Sequence, residues 1–240
     1  AYSNADPNTF STKDNNAHHG LAGRLTYEED RKLDKNKQYS LHSRASYEFV
    51  NTQFKALERF RNVEFARDWN ISSAEKSGDE HLGFLSLALS RNEFGSLAYQ
   101  FGTYLRGNSF TGFQHVASFS INKNGYRLLA KGDLITQSSS LVKSQFLRPY
   151  LEAEKQLFKK NPLFIGSRFL LEHNDLRNAP TDSLSKAAFS FDALTVYVKN
   201  KQDARNNFAA EYTHRNDHAA KENEFAQSTE SDQGLWRRSG

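Results

Sequence analysis

Large apolar and polar side chains alternate along most of this chain with a period of two residues. In residues 95–106 the odd positions carry most of the large apolar side chains and the even positions are mostly small or polar, and residues 113–121 repeat the pattern. Such alternation directs apolar side chains to one face of a β-strand and polar side chains to the other. The pattern recurs from residue 20 to about residue 220 and predicts an all-β fold.

Turn sequences separate the clearest of these segments. Arg91-Asn92, Gly107-Asn108 and the stretch 122–125, which ends in Asn124-Gly125, fall between alternating runs. An Asn-Gly pair in this position favours a tight hairpin because both residues accept positive φ angles. We therefore predict a four-stranded meander over 82–90, 94–106, 111–122 and 126–137. The long spacing between segments fits strands of ten or more residues, and predicts an antiparallel up-and-down meander of about ten to twelve strands, forming a β-barrel or part of one.

Two segments fit a helix as well as a strand. Between residues 54 and 69 the alternation sorts charges rather than hydrophobicity, and much of this stretch has good helix propensity. Residues 151–160 present the same ambiguity between Pro149 and Pro162. The strand is preferred for both segments, and the helix is kept as the alternative.

The composition supports a sheet that has one apolar face and one solvent-exposed polar face. The chain has 240 residues, of which only 37% are hydrophobic, yet it contains 19 Phe and 10 Tyr. A disordered chain would lack these aromatic residues. Residues 1–19 are polar and turn-rich and are interpreted as an arm or loop, and residues 20–240 as a single β-domain or a fragment of a larger one. The chain starts at Ala1, which suggests a processed mature form or an excised segment. The sequence contains no run of 18 apolar residues, so no transmembrane helix is predicted.

Charge and residue content argue against several functional classes. Lys and Arg outnumber Asp and Glu by 32 to 28, and both signs are interspersed, so nucleic-acid binding is not expected. There is no Cys, hence no thiolate nucleophile or cysteine metal site. His18 and His19 are adjacent and would point apart in an extended chain, which disfavours a metal site. No phosphate loop or dinucleotide fingerprint occurs, and no cofactor is expected.

Catalysis is not expected from the candidate residues either. His115 could serve as a base for Ser118 or Ser120, but both serines would lie on the opposite face of the same strand. No nucleophile elbow supports a hydrolase. A basic ladder of Lys55, Arg59, Arg61 and Arg67 could line a lumen and attract anions. Its alternative is cross-strand pairing with carboxylates, which would cancel the field.

With its long alternating strands, aromatic residues on the apolar phase and tight turns, the chain resembles outer-membrane β-barrel proteins of Gram-negative bacteria. The family usually closes its last strand with an aromatic residue, whereas this chain ends in Arg-Arg-Ser-Gly, which suggests a barrel that continues elsewhere. The resemblance implies a non-catalytic pore, transport component or envelope scaffold in the outer membrane or another extracytoplasmic part of the envelope, with membrane lipid and envelope proteins as partners. The residues predicted to face lipid, each in the apolar phase of its strand, are Phe101, Phe113, Phe119, Phe169 and Phe191.

A second hypothesis keeps the fold and changes the environment. The chain could be a soluble extracytoplasmic β-sheet domain that binds a protein or carbohydrate. Exposed aromatic side chains such as Trp69 and Tyr104 would then form the binding surface. The two hypotheses differ in whether the protein needs detergent to stay in solution.

Overall fold

The protein forms one continuous antiparallel sheet of twelve strands, whose order in the sheet follows their order in the chain. This computed structural model describes residues 2–5, 18–36, 38–54, 69, 78–158, 163–200, 207–218 and 230–239. The predicted all-β meander is confirmed. The strands are β1 (Tyr2–Ala5), β2 (His18–Lys32), β3 (Tyr39–Val50), β4 (Glu80–Arg91), β5 (Gly95–Arg106), β6 (Phe110–Lys123), β7 (Tyr126–Ser139), β8 (Val142–Gln156), β9 (Leu163–Asn178), β10 (Phe189–Asn200), β11 (Asn207–His218) and β12 (Glu230–Ser239).

The four-stranded meander predicted from the turn sequences is present as β4 to β7, with β4, β6 and β7 two or three residues longer than predicted and β5 one residue shorter. The β6–β7 hairpin turns at Asn124 and Gly125, whose φ angles are 54° and 75°. Two consecutive positive φ angles are the requirement of a type I′ two-residue hairpin loop, which explains the Asn-Gly pair. Lys123 and Tyr126 are the cross-strand partners that flank this turn.

The segments left open by the sequence have separate outcomes. Residues 151–156 belong to strand β8, so the preferred strand is confirmed there. Residues 55–68 lie outside the described residues. Within the predicted arm at residues 1–19, β1 pairs with the first residues of β2, and β2 starts at His18 rather than at Gly20.

The register divides the sheet into two chemically different faces, because directly paired residues point to the same side. One row of cross-strand partners is apolar from β3 to β10 and defines what we call the apolar face: Leu41, Leu89, Leu97, Phe119, Ala130, Leu151, Phe169 and Leu194. The same row continues to Arg31 in β2 and His214 in β11. The adjacent row is almost entirely polar and defines the polar face: Ser40, Ser90, Ser96, Ser120, Leu129, Glu152, Arg168, Thr195 and Thr213.

The polar face is the more buried of the two faces. Tyr104 and Tyr197 on the polar face are 1% and 7% exposed, whereas Leu97 and Leu194 on the apolar face are 54% and 47% exposed. Within the described part of the chain, only neighbouring strands approach each other closely, so no second layer covers the apolar face. None of the described residues forms a helix long and apolar enough to cross a membrane.

Candidate functional site

Four of the five phenylalanines predicted to face lipid lie together on the apolar face. Successive pairings place Phe101, Phe113, Phe119 and Phe169 on this side of the sheet. The rings of Phe101 and Phe113 are stacked with their centroids 6.3 Å apart. The shared face follows from the register, and contact of these side chains with lipid remains a prediction.

Phe191 lies on the polar face, so the prediction that it shares the apolar phase with the other four phenylalanines is wrong. Its direct partner in β9 is Glu172, and the guanidinium carbon of Arg215 lies 3.7 Å from the centre of its ring. Strand β10 carries apolar residues in both phases, with Phe191 and Tyr197 at odd positions and Leu194 and Val196 at even positions. The register selects the even positions for the apolar face, which the alternation within β10 alone does not decide.

Two tyrosine–histidine pairs lie on the apolar face. The Tyr99 hydroxyl lies 2.8 Å from Nδ1 of His115, and the Tyr47 hydroxyl lies 2.7 Å from Nδ1 of His81. Each pair joins neighbouring strands and satisfies two polar atoms at once. Ser120, once considered as a nucleophile beside His115, lies on the polar face and hydrogen-bonds Ser96 over 2.9 Å. The described contacts of His115 therefore do not include the serine of a catalytic dyad.

A buried carboxylate cluster links β8 to β10 on the polar face. The Tyr197 hydroxyl lies 2.8 Å from Oε1 of Glu152 and 2.9 Å from Oε2 of Glu154, and both glutamates are 8% exposed. Tyr150 donates a second hydrogen bond to Glu152 over 2.6 Å, and Lys199 forms an ion pair with Glu154. Buried carboxylates are stable only when paired in this way.

Gly166 makes this cluster possible. It is the direct cross-strand partner of Tyr197 and lies in β9, between the two strands that the cluster joins. A Cβ atom at position 166 would lie 2.5 Å from the phenol ring of Tyr197. The missing side chain therefore lets the Tyr197 ring lie across β9 and reach both glutamates of β8.

Further ion pairs continue across the polar face toward β11. Arg168 in β9 binds Glu211 in β11 at 2.7 Å, and Arg148 binds Glu172 at 3.2 Å. Beside them lies a cavity of about 330 Å³ that is lined in part by Arg168. Since these cations are neutralised by carboxylates, this part of the polar face presents mixed rather than single-sign charge.

Trp69 packs on the polar face of β5 and β6. Its ring centroid lies 5.8 Å from that of Tyr104, and a Cβ atom at Gly112 would lie 2.7 Å from its indole. Tyr104 also contacts Phe110, which is 2% exposed. The expectation that Tyr104 forms an exposed binding surface is wrong, because this side chain is fully buried in an aromatic cluster.

Asp79 closes the connection between β3 and β4 just before β4 begins. Its Oδ1 accepts hydrogen bonds from the Thr52 amide at 2.8 Å, the Thr52 hydroxyl at 2.7 Å and the Asn51 side chain at 3.0 Å. The backbone hydrogen bond from Thr52, followed by its hydroxyl, holds the pKa of Asp79 below its usual value. The rest of this connection includes the predicted basic ladder of Lys55, Arg59, Arg61 and Arg67, which lies outside the described residues.

The buried carboxylate cluster was missed by the sequence analysis. Its local signal is the sequence Leu-Glu-Ala-Glu at 151–154, where the two acids share one phase of a strand. That signal does not identify the partner, because Tyr197 lies 45 residues from Glu152 along the chain. No group of three or more potential metal-ligating side chains occurs in the described ranges.

Comparisons with known proteins do not identify a relative. No family model, curated protein or solved structure matches this chain. The candidate site is therefore defined by its own geometry: an apolar face that no described segment covers, and on the other side of the sheet a network of paired charges around the buried Glu152 and Glu154.

Proposed function

We propose that this chain is a membrane-embedded β-barrel, or a segment of one, in the outer membrane of a Gram-negative bacterium, acting as a non-catalytic pore, transport component or envelope scaffold. The observation that carries the proposal is the distribution of side chains between the two faces. A soluble sheet packs its apolar face inward and exposes its polar face. Here the cluster of Glu152, Glu154 and Tyr197 on the polar face is buried, and no described segment covers the leucine-rich face, as in barrels that face lipid outside and water inside.

Strand length supports the same proposal. The strands from β3 to β11 contain between 12 and 16 residues. A strand needs about 9–11 residues to cross the hydrocarbon core when it is tilted. At about 3.3 Å per residue, 12 residues extend about 40 Å, enough for a tilted crossing with ends that reach the headgroups.

The apolar band also runs obliquely across the strands. On this face the apolar segment of β3 lies between Tyr39 and Phe49, and that of β11 lies between Phe208 and Tyr212. Arg44 lies at the middle of the β3 segment. The series of cross-strand partners that starts at Arg44 reaches β11 near Asp217, whereas the middle of the β11 segment is residue 210. The band therefore shifts by about seven residues over eight strand steps, or about one residue per strand.

This shift corresponds to a definite strand tilt. With a rise of about 3.3 Å per residue and about 4.8 Å between strands, one residue per strand gives an angle of about 35° between the strands and the normal of the band. Strands of membrane barrels tilt by about 35–45°. A flat hydrocarbon layer that meets tilted strands would produce such an oblique band.

The experiment compares an arginine on each face. Phe119→Arg places a charge in the apolar band and should cost about 2–4 kcal/mol in folding free energy if the site lies near mid-bilayer. Gln100→Arg places the same charge on the polar face and should be tolerated. Folding is measured as insertion into detergent micelles and as faster migration of the unboiled protein on a gel. A parent protein that stays soluble without detergent, together with a fully folded Phe119→Arg variant, would overturn the proposal.

A further inference from the structure

Aromatic and basic side chains alternate along the edge of the apolar face where the strands meet their turns. Tyr39 pairs with Arg91, Lys123 pairs with Tyr126, and Tyr126 pairs with Lys155. Phe94 lies in the turn that follows Arg91. We call these six residues the turn-end rim, which crosses β3 to β8 in the order Tyr39, Arg91, Phe94, Lys123, Tyr126 and Lys155.

Each cation of the rim lies over an aromatic ring. The guanidinium carbon of Arg91 is 5.3 Å from the ring centres of both Tyr39 and Phe94. Nζ of Lys123 is 5.4 Å from the Phe94 ring, and Nζ of Lys155 is 3.1 Å from the Tyr126 ring. Attraction to the ring faces holds the cations in place without neutralising them.

None of the six rim residues is acidic, and Glu93 is the exposed carboxylate that lies in the same turn as Phe94. In the part of the chain that the structure describes, Arg91, Lys123 and Lys155 form no ion pair with a carboxylate, whereas Arg148 and Arg168 on the polar face do. Arg91 and Lys123 are exposed. The rim therefore presents three positive charges on the side of the sheet that carries the apolar band.

Charges at the opposite ends of the strands are paired. Lys143 lies 3.4 Å from Asp182, Arg177 lies 3.0 Å from Asp175, and His218 lies 2.6 Å from Asp192. The two ends of the apolar face thus differ. At the turn end the three rim cations form no ion pair with a described carboxylate, although Asp34 and Glu93 lie in the same turns, whereas the charges named at the other end are paired. This asymmetry gives the face a direction relative to a membrane surface.

We infer that the turn-end rim binds the phosphate groups of anionic phospholipids in the leaflet on that side of the membrane. The inference rests on the proposed membrane function. Tyrosine rings are favoured at the level of the headgroups, and Lys and Arg extend from an apolar surface to reach them. Charge complementarity selects an anionic headgroup, because three cations without acidic partners face it.

The test compares binding of the full chain to two kinds of vesicle at low ionic strength. One vesicle is pure phosphatidylcholine and the other is an equimolar mixture with phosphatidylglycerol. Each cation near an anionic surface strengthens partitioning by about fivefold before screening, so the parent should prefer the mixed vesicles by more than about tenfold. The triple variant Arg91→Gln, Lys123→Gln and Lys155→Gln should lose this preference and still insert into phosphatidylcholine.

Two control proteins separate the rim from net charge. Lys131→Gln, Lys143→Gln and Lys186→Gln together remove three exposed lysines outside the rim, and should keep the preference. Arg91→Lys, Lys123→Arg and Lys155→Arg together keep the rim charge, and should keep it too. A preference retained by the glutamine rim variant, or lost equally in the lysine control, would overturn the rim inference alone. Failure of the parent to enter either vesicle would overturn the proposed membrane function as well.

Discussion

Removing one oxygen atom from the polar face should test the buried carboxylate cluster. The Tyr197 hydroxyl lies within 2.9 Å of carboxylate oxygens from both Glu152 and Glu154. Tyr197→Phe deletes this hydroxyl and preserves the ring that packs against Gly166. The change therefore isolates the hydrogen bonds from the packing.

The expected loss of stability follows from the partners that remain. A hydroxyl has one proton and donates to one carboxylate at a time, and a hydrogen bond to a charged group contributes about 1.5–3 kcal/mol. Glu152 keeps its bond from Tyr150 and Glu154 keeps its ion pair with Lys199, so neither carboxylate is left alone. We expect Tyr197→Phe to lower the free energy of unfolding by about 2 kcal/mol.

The assay is urea unfolding of the folded protein in detergent micelles, followed by tryptophan fluorescence. Tyr126→Phe makes the same chemical change at a residue that is 58% exposed and should alter stability by less than about 0.5 kcal/mol. Equal unfolding midpoints for the two variants would refute the role assigned to the cluster.

Three further changes probe the turn, the aromatic cluster and the β3–β4 connection. Gly125→Val should slow refolding and lower the free energy of unfolding by more than about 1 kcal/mol, because φ is 75° at Gly125. Gly132→Val, at a strand position with open space, should do neither. Equal refolding rates for the two variants would contradict this. Gly112→Leu should displace Trp69, and an unshifted tryptophan emission spectrum would count against that packing. The pKa of Asp79 is held below its usual value of 3.8. Ionised Asp79 therefore stabilises the folded protein fully above that pH, and this stabilisation is lost as the pH falls through the lowered pKa. Asp79→Asn should flatten the acid end of the curve of unfolding free energy against pH.

The strands with one apolar phase were predicted correctly from local pattern. In β5 and β6 most of the large apolar residues occupy a single phase, with Tyr104, Phe110 and Val116 in the other, and Asn124-Gly125 fixes the next hairpin, so these strands and the face of Phe101 and Phe119 followed directly. Such information is local, because alternation and turn chemistry depend on residues only a few positions apart.

Predicting the polar face required knowledge of pairing between residues that are far apart in the sequence. In β10 both phases are apolar, and its pairing with β9 decides that Leu194 rather than Phe191 joins the apolar face. Gly20 illustrates the same limit: it is the first residue of the predicted β-domain, directly after the predicted arm, and a Cβ atom there would overlap the backbone of Phe54. The register between strands and the close approach of two backbones produce no periodic pattern in the sequence, so they could not be predicted from it.

The strand order has a mechanical consequence. Each of the twelve described strands pairs with its neighbours in the chain, so none of them is held between segments distant in sequence. A pulling force on one terminus would load the outermost strand pair first and transfer to the next pair only after the first has separated. Extraction would therefore proceed as a series of separate steps, one strand or hairpin at a time, and each step would release a length of chain set by the strands and the connection between them.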